Sequence, residues 1–169
     1  TFLNSLTKIY DITSGEILLD SHPVDPKKDH IAYIFQGNST MPWLTVEQNV
    51  SFGLDIKHVP QEKKRQLVDK YLEIVGLTKY RKYYPKQLSA SMLQRVSIAR
   101  AFATEPELLL MDEPYGQLDI ELRFKLEDEL IRLWEMTGTT VIFITHNIEE
   151  AVYLGEHIMV LTNKPTTVK

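Results

Sequence analysis

The chain has no cysteine at all. That excludes disulfides, thiolate metal sites and cysteine nucleophiles, and a reducing, cytosolic setting fits well. It also lacks any apolar run near the roughly 20 residues needed to cross a bilayer, and it carries no secretory leader pattern, so membrane association has to run through a partner. A surplus of positive charge is missing too. The formal net charge is −4, and basic residues are spread out apart from "KKR" at 63–65 and "KYRKYYP" at 79–85. Nucleic acid is therefore not an expected partner. No initiator methionine opens the sequence, which starts at Thr1 and stops with "TNKPTTVK" directly after an apolar, strand-like run. We expect a piece of a longer protein.

What is present is ordinary for a folded domain. With 169 residues, 43% hydrophobic and 25% charged, one folding unit with a small inserted subdomain is expected. "FLNSLTKI" at 2–9 reads as the tail of a helix, and "TSG" at 13–15 as a turn into the strand "EILL". "IAYIF" at 31–35 is a second strand, followed at Gln36 by the loop "GNSTMPWLT". From Val46 to Tyr84 the pattern is mostly helical. "QEKKRQLVDKYLEIVGL" places Leu67, Tyr71 and Val75 four apart, with Pro60 before it and Gly76 at its end. The next helix opens at Ser89, a good N-cap residue, and runs through "MLQRVSIARAFA" before Pro106. "ELLLMDEP" reads as a buried strand, "DIELRFKLEDELIRLWEMTG" as an amphipathic helix on Leu122, Leu126, Leu130 and Leu133, and "TVIFIT" as a further buried strand. "NIEEAVYL" is a helix and "HIMVL" a final strand. Strands alternating with helices give an α/β protein, a parallel sheet with helices on both faces.

In open α/β sheets, ligands bind beyond the carboxyl ends of the strands. Gln36, the pair Asp112 and Glu113, and His146 all stand at such ends. Two adjacent acids straight after an apolar strand have no easy structural explanation, because buried carboxylates destabilise unless paired or bound to metal. In nucleotide hydrolysis Asp112 would hold Mg²⁺, directly or through water, while Glu113 polarises the attacking water. His146 can hydrogen-bond a γ-phosphate oxygen and Gln36 can offer its amide oxygen to Mg²⁺; taken alone, each is as readily a packed or solvated residue.

The series "FQ", "LSxxM.QR", "LLLMDEP", "GQLD" and "ITH.IEEA", in this order and spacing, resembles the nucleotide-binding subunit of ATP-binding cassette (ABC) transporters along nearly the whole chain. "MPWLTVEQNVSFGL" and "YPKQLS" resemble most the import ATPases for nitrate, sulfonate and taurine. The resemblance implies a P-loop NTPase (RecA-like) core at 1–40 and 103–169, incomplete at its start, with an inserted α-helical subdomain at 41–102 that includes the signature helix. It implies ATP and Mg²⁺ as ligands, with Gln36 and Asp112 toward the metal, Glu113 and His146 as catalytic groups, and Asp119 at a dimer interface. It also implies a head-to-tail second ATPase subunit, a transmembrane permease, a periplasmic binding protein, and a place on the cytoplasmic face of the cell membrane.

Two departures stand out. The family's G-x-x-G-x-G-K-[ST] loop cradles phosphates with backbone N–H groups, a lysine and a metal-binding hydroxyl, and no such motif occurs here. By its match to "GKSTLLN", the chain begins just after that loop, with Thr1 following the hydroxyl ligand. Such a chain is expected to bind ATP poorly and hydrolyse it less, through truncation or as a degenerate, regulatory relative. The second departure is "LSASMLQRVSIARA", where the family's signature has two glycines and this chain has Ala90 and Ser91 after Ser89. A Cβ there either crowds the partner's phosphate or disfavours a positive φ, while the N-terminal amides, and the Ser91 hydroxyl, remain available. Tyr33 reads as core, "KYRKYYP" as a solvated helix face, and "MPWLTVEQNV" as packing around Trp43 or, by resemblance, a permease-contacting groove.

Overall fold

The structure, a computed structural model, describes residues 2–37, 39–116, 118–163 and 166–169. Its elements follow one another as helix α1 (Phe2–Leu6), two short antiparallel strands β1 (Leu18–Leu19) and β2 (His22–Pro23), and strand β3 (Ile31–Ile34). Helices α2 (Val46–Ile56), α3 (Gln61–Ile74) and α4 (Ala90–Ala103) come next, then strand β4 (Leu108–Asp112) and helix α5 (Ile120–Thr137). Strand β5 (Thr140–Ile144) and helix α6 (Ile148–Leu154) complete the order.

β3, β4 and β5 form one parallel sheet with β4 in the middle. Side chains alternate between faces along a strand, and the two faces meet different layers. Ala32, Ile34, Leu109, Met111, Val141 and Phe143 join the main core with Val50 of α2, Leu72 of α3, Phe102 of α4 and Leu130 of α5. Ile31, Tyr33, Leu108, Leu110, Ile142 and Ile144 pack on the other side against Leu3 and Leu6 of α1. Both faces of β4 are thus covered, which is why "LLLM" reads as an unbroken apolar run. Each such buried aliphatic side chain contributes about 1.5–3 kcal/mol of transfer free energy. The α/β class expected from the alternating pattern holds.

Helix starts are written in the sequence. Thr45 and Gln48 form a capping box on α2, Ser89 Oγ accepts from Met92 N on α4, Asp119 caps α5 and Asn147 caps α6. α5 stops at Gly138, in the left-handed region at φ 64°, whose N–H reaches Trp134 O at 2.8 Å, the backbone form that favours glycine at a helix end.

Some expectations fail. Residues 157–161, "HIMVL", are not a strand: Leu161 makes one isolated bridge to Val168, and Ile158, Met159, Val160 and Leu161 are all exposed. A strand pattern becomes a strand only beside a partner edge, and here the one neighbour among the described residues is the short stretch 167–169, bonded at Val160 and Thr162. "KYRKYYP" is no helix face but runs from the end of one 3₁₀ turn, Thr78–Tyr80, to the start of another, Pro85–Gln87. Trp43 does not centre its loop, being 71% exposed. Fully buried Asn49 does so instead: its Oδ1 accepts from Met41 N, and its Nδ2 donates to the carbonyls of Met41, Leu44 and Thr45. No helix among the described residues is long and apolar enough to cross a membrane.

Candidate functional site

Three adjacent strands end together, and the polar residues just beyond them converge. Gln36 lies two residues past β3, Glu113 one past β4 and His146 two past β5. Glu113 Oε2 sits 3.1 Å from Gln36 Nε2 and 3.2 Å from His146 Nδ1. A carboxylate only accepts, so the NH₂ end of Gln36 faces it and the amide oxygen is left unspent. His146 Nδ1 stands at ion-pair distance from the same oxygen without a hydrogen bond to it, so this contact commits neither ring nitrogen.

The chain reaches this geometry by a turn at Glu113. Its N–H still bonds Ile144 O at 2.9 Å, extending the ladder by one rung, while its φ is 43°, uncommon for a residue with a Cβ. Behind it lies a cavity of about 50 Å³ bordered by Glu113, Thr145, His146 and Asn147, large enough for ordered water beside the carboxylate.

Asp112, the last residue of β4, has other company. Tyr33 Oη lies 3.3 Å from its Oδ2 and 3.1 Å from Asn4 Oδ1. Burial, and then the Asp112 charge, push the Tyr33 phenol up to about 12, so it stays a donor. Asp112 and the Gln36 amide oxygen are hard oxygen donors, a chemistry suited to Mg²⁺. Among the described residues no group of three or more His, Cys, Asp or Glu could hold a metal. The fit is to an ion held by one or two protein oxygens and completing its shell with water and phosphate.

The remaining expected residues lie apart from this cluster in their contacts. Asp119 Oδ1 accepts from Leu122 N at 2.9 Å, and Ser89 Oγ pairs with Ser91 Oγ at 3.0 Å. Ser89 and Ala90 are exposed at the start of α4 and Ser91 is half-buried. Neither Ala90 nor Ser91 is among the residues with positive φ, so the backbone-strain half of the concern over the absent glycines falls away. Thr1 and Gln117 of "GQLD" lie outside the described residues.

The ABC transporter family model matches residues 1–116. The chain belongs to the ABC transporter family. An uncharacterized ABC transporter ATP-binding protein of Methanocaldococcus jannaschii is 42% identical over 93% of this chain and 59% of its own length. The nitrate import ATP-binding protein of Synechocystis is 38% identical over 100% of this chain and 64% of its own, and the taurine import ATP-binding protein of Roseobacter denitrificans 38% over 98% and 62%. The chain thus spans less than two thirds of the length of these relatives. Among solved structures, CbiO1 of Clostridium perfringens, part of the ABC transporter complex CbiONQ, superposes with a TM-score of 0.80 at 28% identity, covering 90% of this chain and 64% of that one. A dimeric ATP-binding cassette bound to ADP and Pi matches with a TM-score of 0.75 at 31% identity over 90% of this chain and 71% of its own.

Two polar contacts of this ABC chain escaped sequence reasoning. Tyr33 is not simply core, since its hydroxyl reaches Asp112; the one signal was a polar-tipped ring inside an otherwise aliphatic strand. Arg100 near the end of α4 donates from Nη1 to Ser39 O at 2.8 Å and from Nη2 to Ser39 Oγ at 2.7 Å. It ties the helix that starts at Ser89 to the loop that starts at Gln36. A lone arginine inside "SIARAFA" was its only mark.

Proposed function

We propose that this chain is the metal- and water-directing part of the ATP-hydrolysing subunit of an ABC importer for small anions of the nitrate, sulfonate or taurine type. The observation that carries the catalytic reading is the Glu113 oxygen between the exits of both neighbouring strands, hydrogen-bonded by Gln36 and within ion-pair distance of His146. That carboxylate, beside a water-sized cavity, is placed to take a proton from an attacking water. His146, whose Nδ1 lies 3.2 Å from Glu113, lines the same region and can turn a ring nitrogen to a phosphate oxygen. Asp112 and the Gln36 amide oxygen would hold Mg²⁺, which when bound neutralises developing charge on the phosphates. The names of the relatives support the substrate class.

On this reading residues 41–102, with their three helices, are the inserted subdomain, and 1–40 with 103–169 the RecA-like core. The exposed Ser89 and Ala90 and the half-buried Ser91 at the α4 N-terminus would face the nucleotide of a second ATPase subunit, with Asp119 near that interface. A permease and a periplasmic binding protein would complete the importer, and the subunit would sit on the cytoplasmic face of the membrane. The sequence contains no glycine-rich phosphate loop, so the 169 residues by themselves are expected to turn over ATP poorly.

The test is phosphate release from ATP by the full-length gene product that carries these residues, beside its Glu113→Gln variant. Turnover that depends on Mg²⁺ and falls by about 10²–10⁴-fold in the variant, the usual worth of a general base, supports the proposal. Turnover indifferent to the change refutes the assignment of Glu113, and none in either protein favours a non-catalytic, regulatory ABC subunit.

A further inference from the structure

We propose that Tyr33 is a positioning residue for Asp112: its hydroxyl fixes one carboxylate oxygen so that the other is presented to a divalent cation. The inference rests on the reading of Asp112 as the residue that holds Mg²⁺.

In the β3–β4 register Tyr33 lies opposite Leu110. Leu110 and Asp112 are two residues apart on one strand and so share a face of the sheet. A tyrosine at this register is long enough to reach the end of the neighbouring strand, and its Oη lies 3.3 Å from Asp112 Oδ2. The ring of Phe35 packs on that of Tyr33 with centroids 4.1 Å apart, which restricts how far the phenol can swing.

The phenol has one proton and two oxygen neighbours, since Asn4 Oδ1 lies at 3.1 Å. It cannot donate to both at once. The two ends of an asparagine amide are assigned from the network around them, and turning the Asn4 amide over satisfies every group. Its NH₂ then donates to Tyr33 Oη, and Tyr33 donates to Asp112 Oδ2. The result is a directed chain from α1, through β3, to the end of β4.

The physical need is plain. The terminal torsion of an aspartate is broad and roughly two-fold, so a half-exposed carboxylate at a strand end has no fixed orientation of its own. A donor locked onto Oδ2 supplies one, and Oδ1 is the oxygen left for the ion. The proposal thereby separates two functions at one strand end: Asp112 is oriented by Tyr33 within β3 and Glu113 by Gln36 beyond it, through different donors.

Tyr33→Phe keeps the ring and deletes the donor. Mn²⁺ binding is measured by electron paramagnetic resonance with a non-hydrolysable ATP analogue, on the full-length gene product that carries these residues. We expect the Mn²⁺ dissociation constant to rise about five- to tenfold, as for loss of a hydrogen bond to a charged group at a half-exposed position. kcat at saturating Mg²⁺ should stay within about twofold, because loss of uniform binding changes affinity rather than turnover. Asn4→Ala should give part of the same effect and add little on the Tyr33→Phe background, since the two would lie on one chain. An unchanged metal constant with a lowered unfolding midpoint shows a structural role only and overturns the proposal, as does tighter metal binding. Additive effects of the two variants overturn the directed chain. If the unaltered protein binds no Mn²⁺ with nucleotide, the reading of Asp112 fails and this proposal fails with it; if it binds and Tyr33→Phe binds equally, only the proposal fails.

Discussion

Replacing Glu127 by methionine should stabilise the protein, and by more as the pH rises. Glu127 lies on the inner side of α5 at 1% exposure, and neither carboxylate oxygen has a hydrogen-bond partner. The nearest counter-charge on its helix, Arg123, faces Glu150 with Nε 3.3 Å from Oε1. Burial, then the nearby Glu150, push the Glu127 carboxyl above its ordinary 4.5. An acid raised on folding holds its proton longer in the native state than in the unfolded chain. Its contribution is therefore harmless below about pH 4.5, and native stability erodes as the pH climbs from there through the folded value, with a limiting slope of about 1.4 kcal/mol per pH unit. An unsatisfied buried polar group costs about 1–3 kcal/mol. Methionine has similar length, no polar requirement and a good helix propensity, so Glu127→Met should recover much of that amount near neutrality. For a chain of this size each kcal/mol moves the midpoint by about 2–4 °C. Urea and thermal unfolding of both proteins from pH 4.5 to 8 give the comparison. A midpoint lowered by the substitution at pH 7.5, or a gain that does not grow with pH, would refute the reasoning.

Asn49→Ala removes four hydrogen bonds at a fully buried position and leaves the Met41 N–H and the Leu44 carbonyl without these partners, while Met41 O and Thr45 O still accept from backbone N–H groups, so urea unfolding should show a loss of about 2–4 kcal/mol; a loss below 1 kcal/mol would mean that water replaces the side chain. The hydrogen bond that Asp29 accepts from His22 Nε2 raises His22 above 6.5. That pairing is fully present below pH 6.5 and fades as the pH rises through the folded value, and in NMR titration Asp29→Asn should bring the His22 midpoint back down. Ala90→Gly with Ser91→Gly should cost the first turn of α4 about 0.5–1 kcal/mol, from the lower helix propensity of glycine, yet tighten ATP-driven dimerisation of the full-length gene product in analytical ultracentrifugation; unchanged dimerisation would show that these Cβ atoms do not meet the partner's nucleotide.

The strand ends and their four polar residues were legible in the sequence because burial forces a strict pattern. "LLLM" and "TVIFIT" must lie inside a covered sheet, and acids or histidine can follow only where the strand leaves it. The hidden features are those in which one atom of a side chain decides. Tyr33 has the size and periodicity of a core residue, and only its hydroxyl separates the two roles. Glu127 sits among "EDE", where charge suggests solvent, although Leu126 and Leu130 beside it turn that part of α5 inward. Asn49 is one amide in an amphipathic helix, and the loop it gathers adjoins it only after folding. For 157–161 the alternation of a strand is present, but strand pairing depends on a neighbour that local sequence does not specify.

The left-handed turn at Glu113 links the two halves of the site. Had β4 continued extended, Asp112 and Glu113 would face opposite sides of the sheet. At φ 43° the chain instead swings Glu113 over the sheet edge, where one oxygen spans the exits of β3 and β5. Strain of this kind persists only where surrounding bonds hold it, and here Glu113 donates to Ile144 O and accepts from Gln36, with His146 at ion-pair distance. A glycine would relax the turn but delete the bridge. An alanine would keep the strain and free Gln36. Glutamine is different, because its Oε1 can take the same position and still accept from Gln36. Glu113→Gln therefore removes charge and basicity while leaving the bridge in place, and a loss of turnover in that variant reports on proton removal rather than on a collapsed strand edge.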